Sequence, residues 1–376
     1  MRILVLVHEY PPIGGGGGRV AQDVARRLAQ RGHDVHVLAP HMIGLKEHSL
    51  DEGVHLVRIP SFRRKAFVGD LLAMSGYLII GFFAGLRLIF RIKPDVIHVH
   101  FAVPAGALAW ALSKLTGVPF VLTSHLGDVP GGVPEKTDRW FKWIYPFTPR
   151  IWRDAAAVTA VSGFTRRLAL SHYPVEVNVI PNGIAIHSKP VEIRLNPSPK
   201  IIFAGRFVPQ KNPLLIPEIL NGLKELSWQC IMIGDGLLRN SLIEKIESLG
   251  LKDRFILPGW ESTDEVSRFL HESDILLMPS SSEGTPMVGL QALSAGLAIV
   301  ASNVGGVSEL VEHGINGFLH KPDDVRSFTA SISRLLSDPG LLGVARGASL
   351  EISRKFDLSH VVNQYEEVLS NASRKG

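Results

Sequence analysis

Cysteine is almost absent: Cys230 is the only one in 376 residues. No intrachain disulfide can form and no thiolate metal cluster can be assembled. A reducing compartment, and so a cytoplasmic location, is the natural expectation. Charge is nearly balanced, 40 Lys and Arg against 35 Asp and Glu. So small a surplus suits an anionic small molecule or an acidic membrane surface and argues weakly for nucleic acid. Long hydrophobic runs are lacking too. The opening run Ile3–Val7 is apolar for five residues, too short for a signal peptide. The longest strongly apolar stretch without charge, from Leu71 to Leu86, falls short of a normal bilayer span and contains Gly76, Gly81 and Gly85, so no transmembrane helix is expected. No Asp-x-Asp pair occurs, and the glycine run ends in Gly18-Arg19-Val20 where a Walker loop needs Gly-Lys-Ser/Thr.

What is present is an ordinary globular composition, 45% apolar and 20% charged, in a chain too long for one core. Short β-like runs alternate with helical patterns: Ile3–Val7, Val35–Leu38, Val54–Ile59, Val96–Val99, Phe120–Thr123, Ala157–Ala160 and Val177–Ile180 in the first half. Residues 19–31 put Val20, Val24, Ala25, Leu28 and Ala29 on one helical face. Prolines then thicken, and no long periodic segment survives between Val179 and Lys200, which reads as a linker. The alternation restarts at Ile201–Ala204 and continues through Ile231–Ile233, Phe255–Leu257, Ile275–Met278 and Ala298–Ala301. Residues 323–373 read as consecutive helices broken at Asp338-Pro339-Gly340. The economical architecture is α/β: two tandem Rossmann-like domains, each a parallel sheet covered by helices, facing a cleft with ligands at the carboxyl ends of the strands.

Four strand-end segments could carry chemistry. Gly14–Gly18 lies between a strand and a helix, where glycine permits close approach of a ligand to backbone N–H groups. A dinucleotide site would also want an acid after the second strand, and Ala39-Pro40-His41 offers none. In Gly205–Pro213, Asn212 and Pro213 read as N-cap and first helical residue, which sets Arg206 and Lys211 beside a strand end as a phosphate clamp or as two solvated charges. In Pro279–Leu293, Thr285 and Pro286 read as another cap, leaving the N–H groups of Met287, Val288 and Gly289 free for an anion. Glu283 and Gly284 stand at its mouth and Gln291 further along the helix; singly, each polar residue would pass for a solvated one. His125, at a strand end, and Asp128, the acid that follows it, are catalytic candidates suited to proton or hydroxyl contacts, though a structural histidine is as common. His98 and His100 read as core or strand-end residues and not as metal ligands.

Together these segments resemble the retaining glycosyltransferases of family 4, of GT-B fold. The resemblance spans nearly the whole chain: Glu9-Tyr10-Pro11-Pro12 and its glycines, Arg31–Val35, Pro94–His100, His125 with Gly127-Asp128, Ala160-Val161-Ser162, Ile180–Ile184, Gly205-Arg206 with Lys211, Gly234-Asp235-Gly236, Pro279–Gly284 and Val304–Leu310. It implies an acceptor domain over 1–183, a nucleotide-sugar domain over 184–356 and a last helix, 357–376, packing back toward the first domain. It implies transfer of a hexosyl unit from a nucleotide-diphosphate sugar, first a UDP-sugar, to an acceptor hydroxyl with retention and without a metal or further cofactor. By the resemblance, Gly15 and Gly16 approach the donor, Arg206 and Lys211 bind the diphosphate, and Glu283 contacts the transferred sugar. His125 lies near the sugar hydroxyls and the acceptor. The glutamate that normally holds the ribose is Gln291 here, and a common Asp after Asn-Gly-Ile is Ala185. No side chain is an obvious nucleophile, so a same-face substitution is expected, with the leaving phosphate as base. A non-hydrolysing sugar-nucleotide epimerase shares the architecture but would need more carboxylates than Asp128 and Glu283. A non-catalytic sugar-nucleotide binder would be hinted at by Gln291.

Two segments raise peripheral association with an anionic membrane. Arg63-Arg64-Lys65 precedes the apolar stretch closed by Arg87 and Arg91, and Arg139–Tyr145 interleaves aromatics with basic residues. Residues 67–90 read equally as a buried core helix.

Overall fold

The computed structural model describes residues 1–64, 69–133, 144–186 and 193–374. Contacts divide the chain into two units, Met1–Gly183 with Leu358–Gly376, and Ile184–Asp357.

The sheet of the first unit takes its strands from β1 (Arg2–Leu6), β2 (Asp34–Pro40), β3 (His48–Asp51), β4 (Val54–Ile59), β5 (Val96–His100), β6 (Phe120–Ser124), β7 (Ala157–Ala160) and β8 (Asn178–Val179). Their spatial order is β3-β4-β2-β1-β5-β6-β7-β8. All neighbours are parallel except β3, which returns antiparallel on β4. The alternation of apolar runs anticipates the parallel strands but not β3. His48-Ser49-Leu50-Asp51 has no apolar face of its own and is held by pairing and by Asp51, which accepts from Tyr10 Oη (2.8 Å), Gln22 Nε2 (2.9 Å) and Arg26 Nε (3.1 Å).

On one sheet face Leu4, Leu6, Leu38, Ile97, Val99 and Leu122 pack under α2 (Leu71–Ile92), α3 (Ala107–Thr116) and α4 (Thr148–Asp154). Helix α1 (Gly16–Gln30) begins inside the glycine run, earlier than its apolar periodicity indicates, and buries Val20, Val24, Ala25 and Leu28. A short helix, α5 (Gly163–Leu170), follows β7.

The second unit has β9 (Lys200–Ala204), β10 (Gln229–Ile233), β11 (Phe255–Gly259), β12 (Ile275–Met278), β13 (Ala298–Ser302) and β14 (Gly317–His320), all parallel, in the order β11-β10-β9-β12-β13-β14. Its helices are α6 (Leu215–Asn221), α7 (Arg239–Ser248), α8 (Thr263–His271), α9 (Met287–Ser294), α10 (Val325–Ser337) and α11 (Pro339–Ser353). Ile201, Phe203, Met232, Leu277 and Val300 point to α6, α7 and α10, while Ile202, Ile233, Leu276 and Ile299 point to α8 and α9. Helix α12 (Leu358–Ser373) belongs to the first unit, where Arg31 and His33 both hold Glu366 (2.8 and 2.7 Å).

In each sheet the strand order reverses once: after β1 the chain adds β2 on one side and β5 on the other, and after β9 it adds β10 on one side and β12 on the other. Loops leaving the carboxyl ends of two such strands diverge, and the crevice between them is where open α/β sheets bind ligands.

Candidate functional site

At the reversal in the first unit, the loop after β1 carries His8, Glu9 and the glycines, and β5 ends at His100, just before Phe101. Glu9 Oε2 accepts the Gly15 N–H at 3.0 Å, so in this structure a protein carboxylate caps the start of α1. Gly15 and Gly16 are exposed, and a Cβ on Gly15 would meet nothing within 4 Å. Gly17 differs: a Cβ there would lie 2.4 Å from Phe101 Cζ and 3.3 Å from His125 Nδ1. The run therefore serves two needs, an open edge at 15–16 and a close approach at 17.

His125, where β6 ends, is almost fully buried. Its ring lies 4.3 Å from that of Phe101, and its Nε2 is 3.2 Å from His100 Nδ1. Burial, above all, pushes its pKa down to about 3, so the ring is neutral at pH 7.

Asp128 is almost fully buried. Its carboxylate turns inward and accepts from the Ala102 N–H at 2.6 Å and the Ser124 hydroxyl at 3.2 Å. Burial raises its pKa to about 7 against the effect of these bonds. The bond to Ala102 steadies the residue just after Phe101, whose φ of 74° is unfavourable for a bulky side chain. Asp128 is thus a brace for the Phe101 corner, a structural role that its place in the sequence does not announce. Arg63 is also reassigned. It is buried, donates from Nη1 to the His8 carbonyl at 3.1 Å and lies 3.9 Å from Glu9, so it supports the β1 exit and is not available to lipid head groups.

In the second unit the reversal sets Gly205-Arg206, after β9, beside Pro279–Pro286, after β12. Gln210 ties the two loops: its Nε2 donates to the Ser282 carbonyl (3.0 Å) and its own carbonyl accepts the Ser281 N–H (2.9 Å). Lys211 and Glu283 then meet at 2.5 Å, and Ser280 Oγ donates to the same carboxylate oxygen at 2.7 Å. Glu283 is buried, so without Lys211 its charge would lack an ionic partner. The backbone is fixed behind it by Gly306, whose N–H donates to the Glu283 carbonyl at 3.2 Å, and by Gly305 (φ 57°), where a Cβ would lie 1.7 Å from that oxygen. Arg206 is half-buried, and among the described residues no carboxylate lies within ion-pair reach of it.

Two caps differ from the sequence expectation. Helix α9 starts at Met287 with Pro286 as N-cap, one residue later than Thr285 would give. The Gly289 N–H bonds the Pro286 carbonyl at 3.0 Å, which leaves Met287 and Val288 as the N–H groups without a helical acceptor. Met287, Val288 and Gln291 are half-buried and share one helical face, with Gly284 half-buried and Thr285 buried just before them. Asn212 is not an N-cap: it is left-handed (φ 48°), closes the 3₁₀ turn Pro209–Lys211, and donates from Nδ2 to Asp323 at 2.8 Å. Helix α6 begins only at Leu215. Ala185 is exposed, next to Ile184, whose N–H bonds the Phe356 carbonyl at 2.8 Å.

Sequence reasoning did not find Phe101, Arg63, Glu9 or His100 as parts of the site. His100 had a local signal, a polar residue in an apolar strand; the backbone twist at Phe101 had none. Away from the site, at the amino ends of β2 and β4, Asp34, His36 and His55 each bring one ligand atom within 4.8 Å of the others. A cavity of about 510 Å³ lined by Trp152, Pro174, Glu176, Asn178 and Asn371 opens at the amino end of β7 and contains none of the motif residues.

Two doubly wound units with their ligand-type loops at the sheet reversals define the GT-B class of nucleotide-sugar enzymes. The pattern of Glycosyltransferase Family 4 matches residues 14–187, and that of Glycosyl transferases group 1 matches residues 188–346. The chain belongs to family 4 of the glycosyltransferases and is a nucleotide-sugar glycosyltransferase. It is 24% identical to the UDP-Gal:alpha-D-GlcNAc-diphosphoundecaprenol alpha-1,3-galactosyltransferase of Escherichia coli, over 96% of this chain and 95% of that one. In fold it is similar to sucrose-phosphate synthase of Thermosynechococcus elongatus, with 17% identity, a TM-score of 0.88 and full coverage of both chains. It is likewise similar to Anabaena HepE in complex with UDP-glucose, with 20% identity, a TM-score of 0.77 and 98% and 99% of the two chains covered.

Proposed function

We propose that the enzyme transfers a hexosyl unit from a UDP-sugar to an acceptor hydroxyl with retention, without a metal ion or further cofactor. The observation that carries the donor side is the convergence of Arg206, Lys211, Glu283 and the free N–H groups of Met287 and Val288 on the reversal of the second sheet. Two cations and a helix start face the position where the departing diphosphate gains charge. Glu283, held by Lys211 and Ser280, is placed to accept from hydroxyls of the transferred sugar, and Gln291 offers an amide to the ribose. In the first unit Gly15, Gly16 and His125 serve the sugar and the acceptor. The leaving phosphate takes the acceptor proton as the new bond forms on the same face.

The test is a thermal-shift panel of UDP-, GDP- and ADP-sugars on the full chain, followed by product stereochemistry with the donor that binds. A UDP-sugar should give the largest shift. Arg206→Ala should weaken nucleoside diphosphate binding by one to two decades, the equivalent of roughly 1.5–3 kcal/mol for a charge-assisted hydrogen bond. Unchanged affinity, or an inverted product, defeats this reading.

We also propose that the acceptor side includes a membrane surface on which α2 rests. This helix is long and apolar enough to cross a membrane by length and composition, yet it buries Ala73, Gly76, Tyr77, Gly81 and Gly85 against the first unit. Leu72, Ile79, Phe83 and Phe90 line its other face, exposed, with Arg87 and Arg91 exposed beside them. An apolar stripe flanked by cations matches an anionic bilayer interface, and a lipid-linked acceptor would be met there. Lys65 and the aromatic segment Arg139–Trp143 lie outside the described residues. The protein should co-sediment with phosphatidylglycerol vesicles at low salt, and Phe83→Glu should abolish this. No sedimentation at low salt would leave a soluble acceptor.

A further inference from the structure

His98 and His100 alternate with Ile97 and Val99 along β5, and both are fully buried. His98 Nε2 is 2.8 Å from Thr123 Oγ1, which serves the core of the sheet. His100 has a different partner. Its Nδ1 lies 3.2 Å from His125 Nε2, while its own Nε2 is buried with no hydrogen-bond partner.

Both rings are neutral, because burial drives each pKa well down. Each ring then carries one proton, and one proton lies between them. There are two ways to arrange it. If His125 donates from Nε2, His100 must carry its proton on Nε2, which leaves a buried N–H with no acceptor. If His100 donates from Nδ1, its Nε2 is a bare lone pair, and His125 carries its proton on Nδ1. Among buried backbone groups an orphaned N–H is rarer than an unfilled acceptor, and by the same measure the second arrangement is the one assigned here. Nδ1 of His125 is the nitrogen that faces the glycine loop, 3.3 Å from where a Gly17 Cβ would sit.

We propose that His100 is a positioning residue: its Nδ1–H fixes the His125 proton on Nδ1 and so makes His125 a hydrogen-bond donor to a sugar hydroxyl at the glycine loop, and not a base. The inference rests on the reading of His125 as a donor-sugar contact. It excludes proton abstraction by His125, whose only lone pair is spent on His100.

The test uses the full chain with ¹⁵N-labelled histidine rings and long-range ¹H–¹⁵N spectra, with His125 assigned by its loss in His125→Gln. The wild type should show His125 protonated on Nδ1. His100→Leu should shift it toward the Nε2 tautomer, whereas His100→Asn, whose amide nitrogen stands where Nδ1 does, should restore the first. In parallel, affinities for UDP-glucose and for UDP are compared by calorimetry. The gain that glucose adds should fall about fivefold to tenfold in His100→Leu, recover in His100→Asn, and UDP alone should bind as before. An Nε2-protonated His125 in the wild type, or a tautomer that His100→Leu leaves unmoved, overturns the proposal, and the wild-type spectrum decides even where a variant does not fold. The expected tautomers with no change in the glucose gain would instead defeat the sugar-contact reading of His125 and leave the His100 relay standing.

Discussion

Lys211 shows how a residue's role depends on what it neutralises. As a solvated cation it would be dispensable; at 2.5 Å from a carboxylate whose side chain is only 6% exposed, it is the countercharge of a buried group. Removing one partner of a buried pair leaves the other uncompensated, which typically costs about 3–5 kcal/mol. Lys211→Ala should therefore lower the melting temperature as well as nucleotide affinity, while Arg206→Ala, which has no carboxylate to abandon, should lower affinity alone. In Lys211→Ala, adding Glu283→Gln should recover much of the melting temperature and none of the affinity. Equal melting temperatures for the two single variants would mean that the pair contributes nothing to folding. Differential scanning calorimetry and a UDP titration read both quantities.

At the scale of elements, the informative feature is that α1 begins within its glycines. Within a helix glycine is disfavoured by its backbone entropy, about 1 kcal/mol relative to alanine. Here Gly17 is forced by Phe101, 2.4 Å from a hypothetical Cβ, whereas Gly15 has open space. Gly17→Ala should push the Phe101 ring from its place between His8 and His125 and destabilise the first unit, while Gly15→Ala should fold normally. Urea unfolding of the two variants separates them, and equal midpoints would show that the Phe101 corner yields freely. The Phe101 corner is itself an element-scale product, because Asp128 reaches from the segment after β6 to hold the N–H after β5. Sequence periodicity shows that β5 and β6 exist, yet carries no sign of this brace.

For the molecule as a whole, the buried titratable groups of the first unit set its response to acid. His98 and His125 have pKa values near 3, and His100 is likewise held well below the ordinary value, in each case chiefly by burial. Unfolding returns them to about 6.5. Below that pH the unfolded chain binds protons that the folded chain refuses, so stability is full above about pH 6.5 and falls as pH drops toward the folded values. Asp128 acts in the opposite direction: with a folded pKa of about 7, it holds a proton that the unfolded chain releases above about 3.9, so its contribution weakens as pH rises from 4 to 7. Three histidines outweigh one aspartate. The melting temperature should fall from pH 6.5 to 4.5, and Asp128→Asn, which removes the opposing group, should steepen the fall. A flat profile, or a shallower one in the variant, would show that these groups titrate freely in the folded chain.

The sequence by itself determined the parallel α/β alternation, the strand ends that carry the motifs, the likeness to family 4 and the glycine, arginine and glutamate positions found at those strand ends. All of these follow from neighbours in the chain: period, strand length, and the residues just past a strand. Tertiary structure alone decided which strand ends stand together. Lys211 meets Glu283 because β9 pairs with β12, and His100 meets His125 because β5 pairs with β6. It also decided that Arg63 goes inward to His8 and Glu9, that Asp128 is a brace, and that β3 forms on a polar segment. Local periodicity contains no term for strand order, and burial of a charged side chain depends on partners that only the folded sheet brings within reach.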